Sequence, residues 1–125
     1  MQKKKLILTS DGTQLRDFIS LQEVCRVIGK ITVANERFRA KQVFNLGSGA
    51  SKSVRETAML VRHRSLKVLG FAPELSFLTA GHSKTPATLS YGLKNLSTLN
   101  ITVNDSTINY EVDNLLRFCS TNFTH

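Results

Sequence analysis

The 125-residue sequence has no tryptophan, two cysteines and two prolines, and aromatic residues make up only 7% of it. With so few aromatic side chains, and none interleaved with basic ones, the sequence does not favour a surface on which single-stranded bases stack. Cys25 and Cys119 lie far apart, with no CxxC or clustered Cys/His spacing. This disfavours a disulfide framework or a metal site, so we expect both thiols to be reduced and buried on apolar helix faces.

Long apolar runs are also missing. No run approaches the ~20 residues that a membrane-spanning helix needs. The basic start at residues 1–5 precedes only Leu6-Ile7-Leu8, which is too short for the apolar part of a secretory signal. We therefore expect a cytoplasmic protein that does not associate with a membrane.

Acidic residues are scarce, since 9 Asp and Glu stand against 17 Lys and Arg, for a formal net charge of +8. Such a charge is compatible with nucleic acid, an acidic membrane or a phosphorylated small ligand. The basic residues are spread along the chain and are densest at 3–5, 37–41 and 62–67. A solvated basic surface is the simplest interpretation, and nucleic acid is not an expected partner.

Hydrophobic periodicity predicts an α/β or α+β fold of short strands and three to four helices. Strands over Lys5–Ser10 and Gln14–Ser20, joined by a turn at Ser10–Thr13, predict an opening hairpin. The other predicted elements are a helix from Leu21 to Gly29 or Lys30, a strand over Gln42–Leu46, a helix from Ser53 to Gly70, an extended segment over Leu75–Thr79, a short helix within Tyr91–Leu99 and a helix from Ile108 to Cys119.

Two serines stand three residues before a glutamate, as in a helix capping box: Ser20 before Glu23, and Ser53 before Glu56. Behind each cap, apolar residues at helical spacing predict the buried face of the helix. The predicted faces are Leu21, Val24, Cys25 and Ile28 in the first helix, Val54, Ala58, Val61, Ser65 and Val68 in the second, and Ile108, Val112, Leu115, Leu116 and Cys119 in the last.

Arg16 is a candidate ligand-binding residue because it lies at the junction of a predicted strand and a predicted helix. In α/β proteins such junctions present side chains to ligands. The planar guanidinium offers a fork of donors that fits a phosphate. From the local sequence alone, an ion pair with a nearby acid is an equally good interpretation.

Other chemical motifs are weak. Gly47-Ser48-Gly49 has neither the third glycine of a dinucleotide fingerprint nor the lysine of a phosphate-binding loop, so a tight connection is the better interpretation. His63, His82 and His125 show no zinc spacing and no catalytic partner pattern. The sequence therefore predicts no catalytic residue and no metal ligand.

Two motifs together resemble a known family. They are Gly12-Thr13-Gln14-Leu15-Arg16-Asp17-Phe18-Ile19, and Val43-Phe44-Asn45-Leu46-Gly47-Ser48-Gly49 followed by Ser53-Val54-Arg55-Glu56. In this order and spacing they resemble the C-terminal substrate-binding part of the NAD-dependent epimerase/dehydratases, the extended short-chain dehydrogenase/reductases that act on nucleotide sugars. The resemblance implies that residues 1–125 are a single substrate-binding domain or fragment without the NAD-binding Rossmann domain.

The resemblance also implies roles for individual residues. The arginine of the first motif, here Arg16, reaches the diphosphate of the nucleotide sugar, and Asn45 lies beside the substrate pocket. A further basic residue comes from the loop that contains His82 and Lys84. His82 stands where the family commonly has arginine, so Lys84 is the alternative phosphate contact.

The sequence departs from a complete enzyme of this family in two ways. It has no glycine-rich NAD fingerprint and no Tyr-x-x-x-Lys pair, since Tyr91 and Lys94 are only three residues apart. We therefore expect no cofactor in this chain, with NAD implied for the full-length family, and no catalysis by the isolated chain.

Three hypotheses follow. The first is the substrate-binding C-terminal portion of a nucleotide-sugar epimerase or dehydratase. The second is a small basic module that binds nucleic acid or another polyanion. The third is an interaction module that completes a separate Rossmann-domain partner.

Overall fold

The computed structural model describes residues 5–33, 43–78, 89 and 92–123. They form the mixed α/β structure that the sequence predicts. The elements are β1 (Lys5–Leu8), β2 (Leu15–Asp17), α1 (Leu21–Val33), β3 (Ser51–Ser53), α2 (Val54–Leu69), β4 (Glu74–Phe77), α3 (Lys94–Ser97), a 3₁₀ turn (Asp105–Thr107) and α4 (Ile108–Asn122). No helix in these ranges is long and apolar enough to cross a membrane.

The strands form two separate two-stranded sheets. β1 pairs in parallel with β4, whereas β2 pairs antiparallel with β3. The predicted hairpin between the first two strands is therefore wrong. The turn at residues 10–13 does form, but the backbone after it bonds to the start of α2, since Arg55 N donates to Gly12 O at 2.8 Å and Val54 N donates to Gln14 O at 3.0 Å. These bonds direct β2 away from β1.

The predicted strand at Gln42–Leu46 is also wrong for the residues described. Residues 43–46 have no regular secondary structure, and Gln42 lies outside the described ranges. Phe44 and Leu46 instead pack against the core, and the strand in this region is β3.

α2 matches its prediction closely. Ser53 Oγ accepts a hydrogen bond from Glu56 N, and the Glu56 side chain accepts one from Ser53 N, which completes the capping box. Gly70 ends the helix with φ 73°, a left-handed conformation that glycine adopts without strain. Ala58 and Ser65 are buried, and Val54, Val61 and Val68 are half-buried, as the periodicity predicts.

The apolar face predicted for α1 packs only in part, since Val24 is half-buried and Cys25 is exposed. Val27 is fully buried in a cluster with Leu96 and Ile101, whereas Leu21 and Ile28 are 68% and 52% exposed. The inward face begins with Ser20, just before the helix, and continues with Glu23 three residues later and Val27 four residues after that. The helix also continues past Gly29 and Lys30 to Val33.

The first capping box forms only in part. Ser20 Oγ accepts from Glu23 N at 3.1 Å, but the Glu23 carboxylate binds Arg26 and Asn104 N instead of returning to the cap. The carboxylate of Glu111 on α4 caps the helix as well, since it accepts from Leu21 N at 2.8 Å and from Gln22 N at 2.6 Å. A residue of a distant element thus satisfies two further N–H groups of the first helical turn.

Cys25 and Cys119 are free thiols and both are exposed, so the expectation that they are buried is wrong. Cys25 lies on the side of α1 opposite to the packed face. On α4, Ile108, Val112 and Leu116 are half-buried, but Leu115 is 62% exposed. Cys119 lies with Leu115 on the exposed side of α4.

The helix predicted within Tyr91–Leu99 is only one turn long. α3 spans Lys94–Ser97, and Tyr91 lies outside the described ranges. Leu96 on this turn is nonetheless 1% exposed and is central to the core.

Candidate functional site

Asp17 joins the two sequence motifs. Its Oδ1 accepts a hydrogen bond from Ser48 N at 2.6 Å, and its Oδ2 accepts one from Gly49 N at 3.2 Å. A Cβ atom on Gly47 would lie 2.8 Å from Asp17 Oδ2, which explains a glycine at that position. Because Asp17 occupies the N–H groups of Ser48 and Gly49, the glycine loop is a tight connection and not a phosphate cradle, as the sequence indicates.

We call the two hydrogen bonds from Ser48 N and Gly49 N to Asp17 the Asp17 clamp. Arg16 directly precedes Asp17, and its side chain is exposed to solvent. Successive residues of a strand point to opposite faces, so Asp17 turns to the glycine loop while Arg16 turns away from it. The described hydrogen bond of the guanidinium runs from Nη1 to Leu15 O at 2.8 Å. No carboxylate of the described residues pairs with Arg16, so the ion-pair interpretation gains no support there.

Lys52 stands directly opposite Arg16 in the β2–β3 ladder. Directly opposite residues share one face of an antiparallel pair and lie about 4.5–5.5 Å apart. Two positive charges on one face of the ladder attract an anion. The sequence reasoning missed Lys52, because the β2–β3 register cannot be derived from either segment alone.

Lys52 also borders a cleft of about 440 Å³ between β3, α2 and α4, which is lined by Lys52, Glu56, Leu60, Ile108 and Asn109. Hydrogen bonds from Ser53 hold the pKa of Glu56 below its usual range, and the charge of Lys52 acts in the same direction. Glu56 is therefore ionised at neutral pH and offsets part of the Lys52 charge.

Asn45 is exposed and its Nδ2 donates to Gly92 O at 3.2 Å. A second amide strengthens this connection, since Asn95 Nδ2 donates to Val43 O at 2.7 Å. Asn45 thus connects residues 43–46 to the segment that leads into α3. The Asp17 clamp holds this segment near β2, but the structure describes no direct contact between Asn45 and Arg16.

The other two predicted site residues, His82 and Lys84, lie outside the described residues. Within the described ranges, no group of three or more His, Cys, Asp or Glu side chains is arranged to hold a metal ion.

Glu23 is the most enclosed carboxylate of the described chain, with its side chain 5% exposed. Arg26 Nε donates to Glu23 Oε2 at 2.7 Å, and Asn104 N donates to Oε1 at 2.6 Å. The hydrogen bond from Arg26 lowers the pKa of Glu23 although burial acts in the opposite direction. The group stays ionised and fully bonded, which fits a structural ion pair and not a proton-transfer residue.

No protein-family model matches the sequence, and no curated protein sequence matches it. Solved structures do match. UDP-glucuronic acid 4-epimerase from Bacillus cereus, in complex with NAD, has a TM-score of 0.68 and 20% identity over 98% of this chain and 37% of that chain.

Two further structures are similar to nearly the whole chain. UDP-N-acetylglucosamine 4-epimerase from Methanobrevibacter ruminantium M1, in complex with UDP-N-acetylmuramic acid, has a TM-score of 0.65 and 17% identity over 94% of this chain and 35% of that chain. dTDP-glucose 4,6-dehydratase from Bacillus anthracis strain Ames, in complex with NAD, has a TM-score of 0.60 and 22% identity over 95% of this chain and 35% of that chain.

These likenesses confirm, at the level of the fold, the resemblance to NAD-dependent epimerases and dehydratases that the motifs predict. The chain spans only 35–37% of the length of these relatives. Because the identities lie below 25%, the likeness concerns the fold, and the roles of individual residues stay predictions.

Proposed function

We propose that this chain is the substrate-binding C-terminal portion of an NAD-dependent nucleotide-sugar epimerase or dehydratase. In this proposal the chain binds the nucleotide sugar, and a Rossmann domain outside these 125 residues binds NAD and carries out catalysis. The fold shared with two epimerases and a dehydratase supports the proposal, as do the names of those relatives, which include UDP-sugars and NAD.

The observation that carries the proposal is the state of Arg16. The side chain is exposed, its described hydrogen bond goes only to a neighbouring carbonyl, and Lys52 stands opposite it. A diphosphate bound there would accept two parallel hydrogen bonds from the guanidinium and would be attracted by both positive charges. Asn45, His82 and Lys84 complete the proposed substrate-binding set.

The test is Arg16→Lys, which keeps the charge and removes the two-pronged geometry. The protein is this chain joined to or mixed with an NAD-binding Rossmann domain, in a form that binds UDP-glucose by calorimetry. We expect the variant to bind UDP-glucose about 5- to 30-fold more weakly, which corresponds to about 1–2 kcal/mol for a charge-assisted hydrogen bond. Uridine, which has no phosphate, should bind both forms equally.

Arg117→Lys is the matched control because Arg117 is an exposed helix arginine with one described hydrogen bond, to Asn114 Oδ1 at 3.3 Å. It should leave UDP-glucose affinity unchanged. Equal affinity of the parent and Arg16→Lys complexes for UDP-glucose would remove Arg16 from the site and contradict the proposed function where it rests most heavily.

A further inference from the structure

A second cleft, of about 620 Å³, lies between α2 and β4 on the side of the molecule that carries the β1–β4 sheet. It is lined by Arg55, Met59, Arg62, His63, Glu74, Leu75 and Phe77. None of these residues is among those named for the proposed nucleotide-sugar site, and Arg16 and Lys52 lie in the other sheet. The cleft therefore needs an explanation of its own.

The floor of the cleft is apolar. Leu75 and Phe77 are alternate residues of β4, so they point to the same face of the sheet, and both are half-buried. Met59 on α2 adds a flexible apolar wall and is 57% exposed. A thioether above an aromatic and an aliphatic side chain adapts well to an apolar or aromatic ligand.

The rim of the cleft is basic, and hydrogen bonds hold its two arginines in place. The guanidinium of Arg55 lies 4.2 Å from the centroid of the Phe77 ring, and its Nε donates to Asp11 O at 3.2 Å. Arg62 Nε donates to Pro73 O at 3.0 Å. Each arginine is thus held through one nitrogen and a backbone carbonyl, which orients the guanidinium. Among the described residues, no acceptor bonds its two terminal amino groups, which can bind a ligand.

The charge of the cleft is not neutralised within the described part of the chain. Its carboxylate, Glu74, pairs with Lys5 at 3.4 Å. No described carboxylate pairs with Arg55, Arg62 or His63. Cations held beside an apolar floor attract an anion more strongly than freely moving surface cations do, because less side-chain entropy is lost on binding.

We infer that the cleft between α2 and β4 binds a small phosphorylated ligand with an apolar or aromatic body. Arg62, Arg55 and His63 bind the phosphate, and Met59, Leu75 and Phe77 contact the body. The volume lies within the range of small-molecule sites, about 300–1,000 Å³. The inferred site uses other residues than the proposed nucleotide-sugar site and needs no NAD-binding domain.

The test is a calorimetric titration of the 125-residue chain with phenyl phosphate, and with inorganic phosphate and phenol as the two halves of that probe. Phenyl phosphate should bind with saturation and at least about fivefold more tightly than either half, because it uses both the rim and the floor. Chemical shifts of backbone amides in α2 and β4 should locate it. No saturable binding, or shifts confined to β2 and β3, would overturn the inference.

Variants separate the cleft from the general positive charge of the chain. Arg62→Gln should weaken phenyl phosphate binding about tenfold, in keeping with the loss of a charge-assisted hydrogen bond. His63→Gln should also weaken it, and because His63 is exposed on the surface of α2 this variant keeps the fold. Thermal unfolding checks that both variants are folded.

Two controls complete the test. Arg117→Gln removes the same charge as Arg62→Gln from α4, and Arg16→Lys alters the other proposed site. Both should change the affinity for phenyl phosphate by less than twofold. An equal loss of affinity in Arg117→Gln would show attraction by net charge alone, and a loss in Arg16→Lys would place the probe at the nucleotide-sugar site. Displacement of phenyl phosphate by a lower concentration of a single-stranded oligonucleotide would indicate a polyanion-binding surface. Each of these results would overturn the inference.

Discussion

Asp17 and Arg16 are adjacent charged residues whose side chains have different environments. The carboxylate is half-buried and accepts two backbone hydrogen bonds, from Ser48 N and Gly49 N, so it organises the glycine loop. The guanidinium faces solvent on the other side of a three-residue strand. The alternation of a strand thus separates a structural charge from an exposed one within two residues.

Gly47→Ala tests the Asp17 clamp. The new Cβ would lie 2.8 Å from Asp17 Oδ2, so the carboxylate must move away from the two N–H groups that it binds. We expect the free energy of unfolding to fall by about 1–3 kcal/mol, measured by urea denaturation. Gly92→Ala is the control, because no described atom lies within 4 Å of its Cβ position. Equal stability of the two variants would contradict the clamp.

The exposed positions of Cys25 and Cys119 give a second prediction at this scale. Both thiols should react with a small thiol reagent under native conditions, at rates within about tenfold of those in denaturant, because no packing shields them. Mass spectrometry should find two adducts on the parent and one on Cys25→Ser. Protection of either thiol until the chain is unfolded would contradict the exposed positions.

Among the helices, α2 and α4 are joined by a side-chain ion pair. Arg64 Nε donates to Asp113 Oδ1 at 2.6 Å, and the same guanidinium binds Asp113 Oδ2 through Nη2. This two-pronged hydrogen bond lowers the pKa of Asp113 below its usual range, although burial acts in the opposite direction. The pair joins the two helices, since Arg64 belongs to α2 and Asp113 to α4.

This pair predicts a pH-dependent stability. A carboxylate whose pKa is lowered by folding stabilises the protein above its usual pKa of about 3.9, and this contribution is lost as the pH falls through the lowered value. Asp113→Asn should therefore be clearly less stable than the parent at pH 7, and the difference should shrink below about pH 4. Urea denaturation from pH 7 to pH 2 measures it.

The comparison of Asp113→Asn with the parent isolates the effect of the Arg64–Asp113 pair from that of the other carboxylates. Glu23 and Glu56 also have lowered pKa values, but they are present in both proteins and cancel in the difference. A double-mutant cycle with Arg64→Gln should show a coupling free energy at pH 7 that disappears at low pH. A difference that is constant from pH 7 to pH 2 would show that Asp113 acts through packing and not through its charge.

α1 shows how an element can be predicted correctly and oriented incorrectly. Its apolar residues do recur at helical spacing, which is why the helix itself is predictable. The packed face, however, contains Glu23, whose charge is neutralised by Arg26 and by Asn104 N from another part of the chain. A rule that places charged residues on the protein surface cannot predict a buried carboxylate whose hydrogen-bond partners are supplied by the fold.

At the scale of the whole molecule, the chain is similar to about a third of each larger enzyme. The matches cover 94–98% of this chain but 35–37% of the three relatives. The shared part contains short strands and helices but none of the glycine-rich fingerprint of a dinucleotide-binding fold. The proposed function accordingly assigns substrate binding to this chain and NAD binding to a Rossmann domain.

The corresponding prediction is that the 125-residue chain alone neither binds NAD nor turns over a nucleotide sugar. The physical reason is that the sequence has no glycine-rich fingerprint that would let a backbone approach the pyrophosphate, and no tyrosine followed four residues later by lysine. Calorimetric titration with NAD should give no saturable heat. Micromolar affinity for NAD would contradict the proposal that a separate Rossmann domain binds NAD.

The sequence by itself determined the features that depend on hydrogen bonds between near neighbours. The capping box of Ser53 and Glu56, the end of α2 at Gly70 and the inward positions of Ala58 and Ser65 are all predictable, because each arises within one or two helical turns. The order of the two motifs was likewise enough to indicate the fold that the solved relatives share.

Only the tertiary structure decided the features that join distant segments. β1 pairs with β4 instead of the neighbouring β2, Lys52 stands opposite Arg16, and the exposed sides of α1 and α4 carry the cysteines. Each outcome depends on partners far along the chain. The local sequence limits which groups need a partner, but the free energy of the whole fold selects which distant group supplies it.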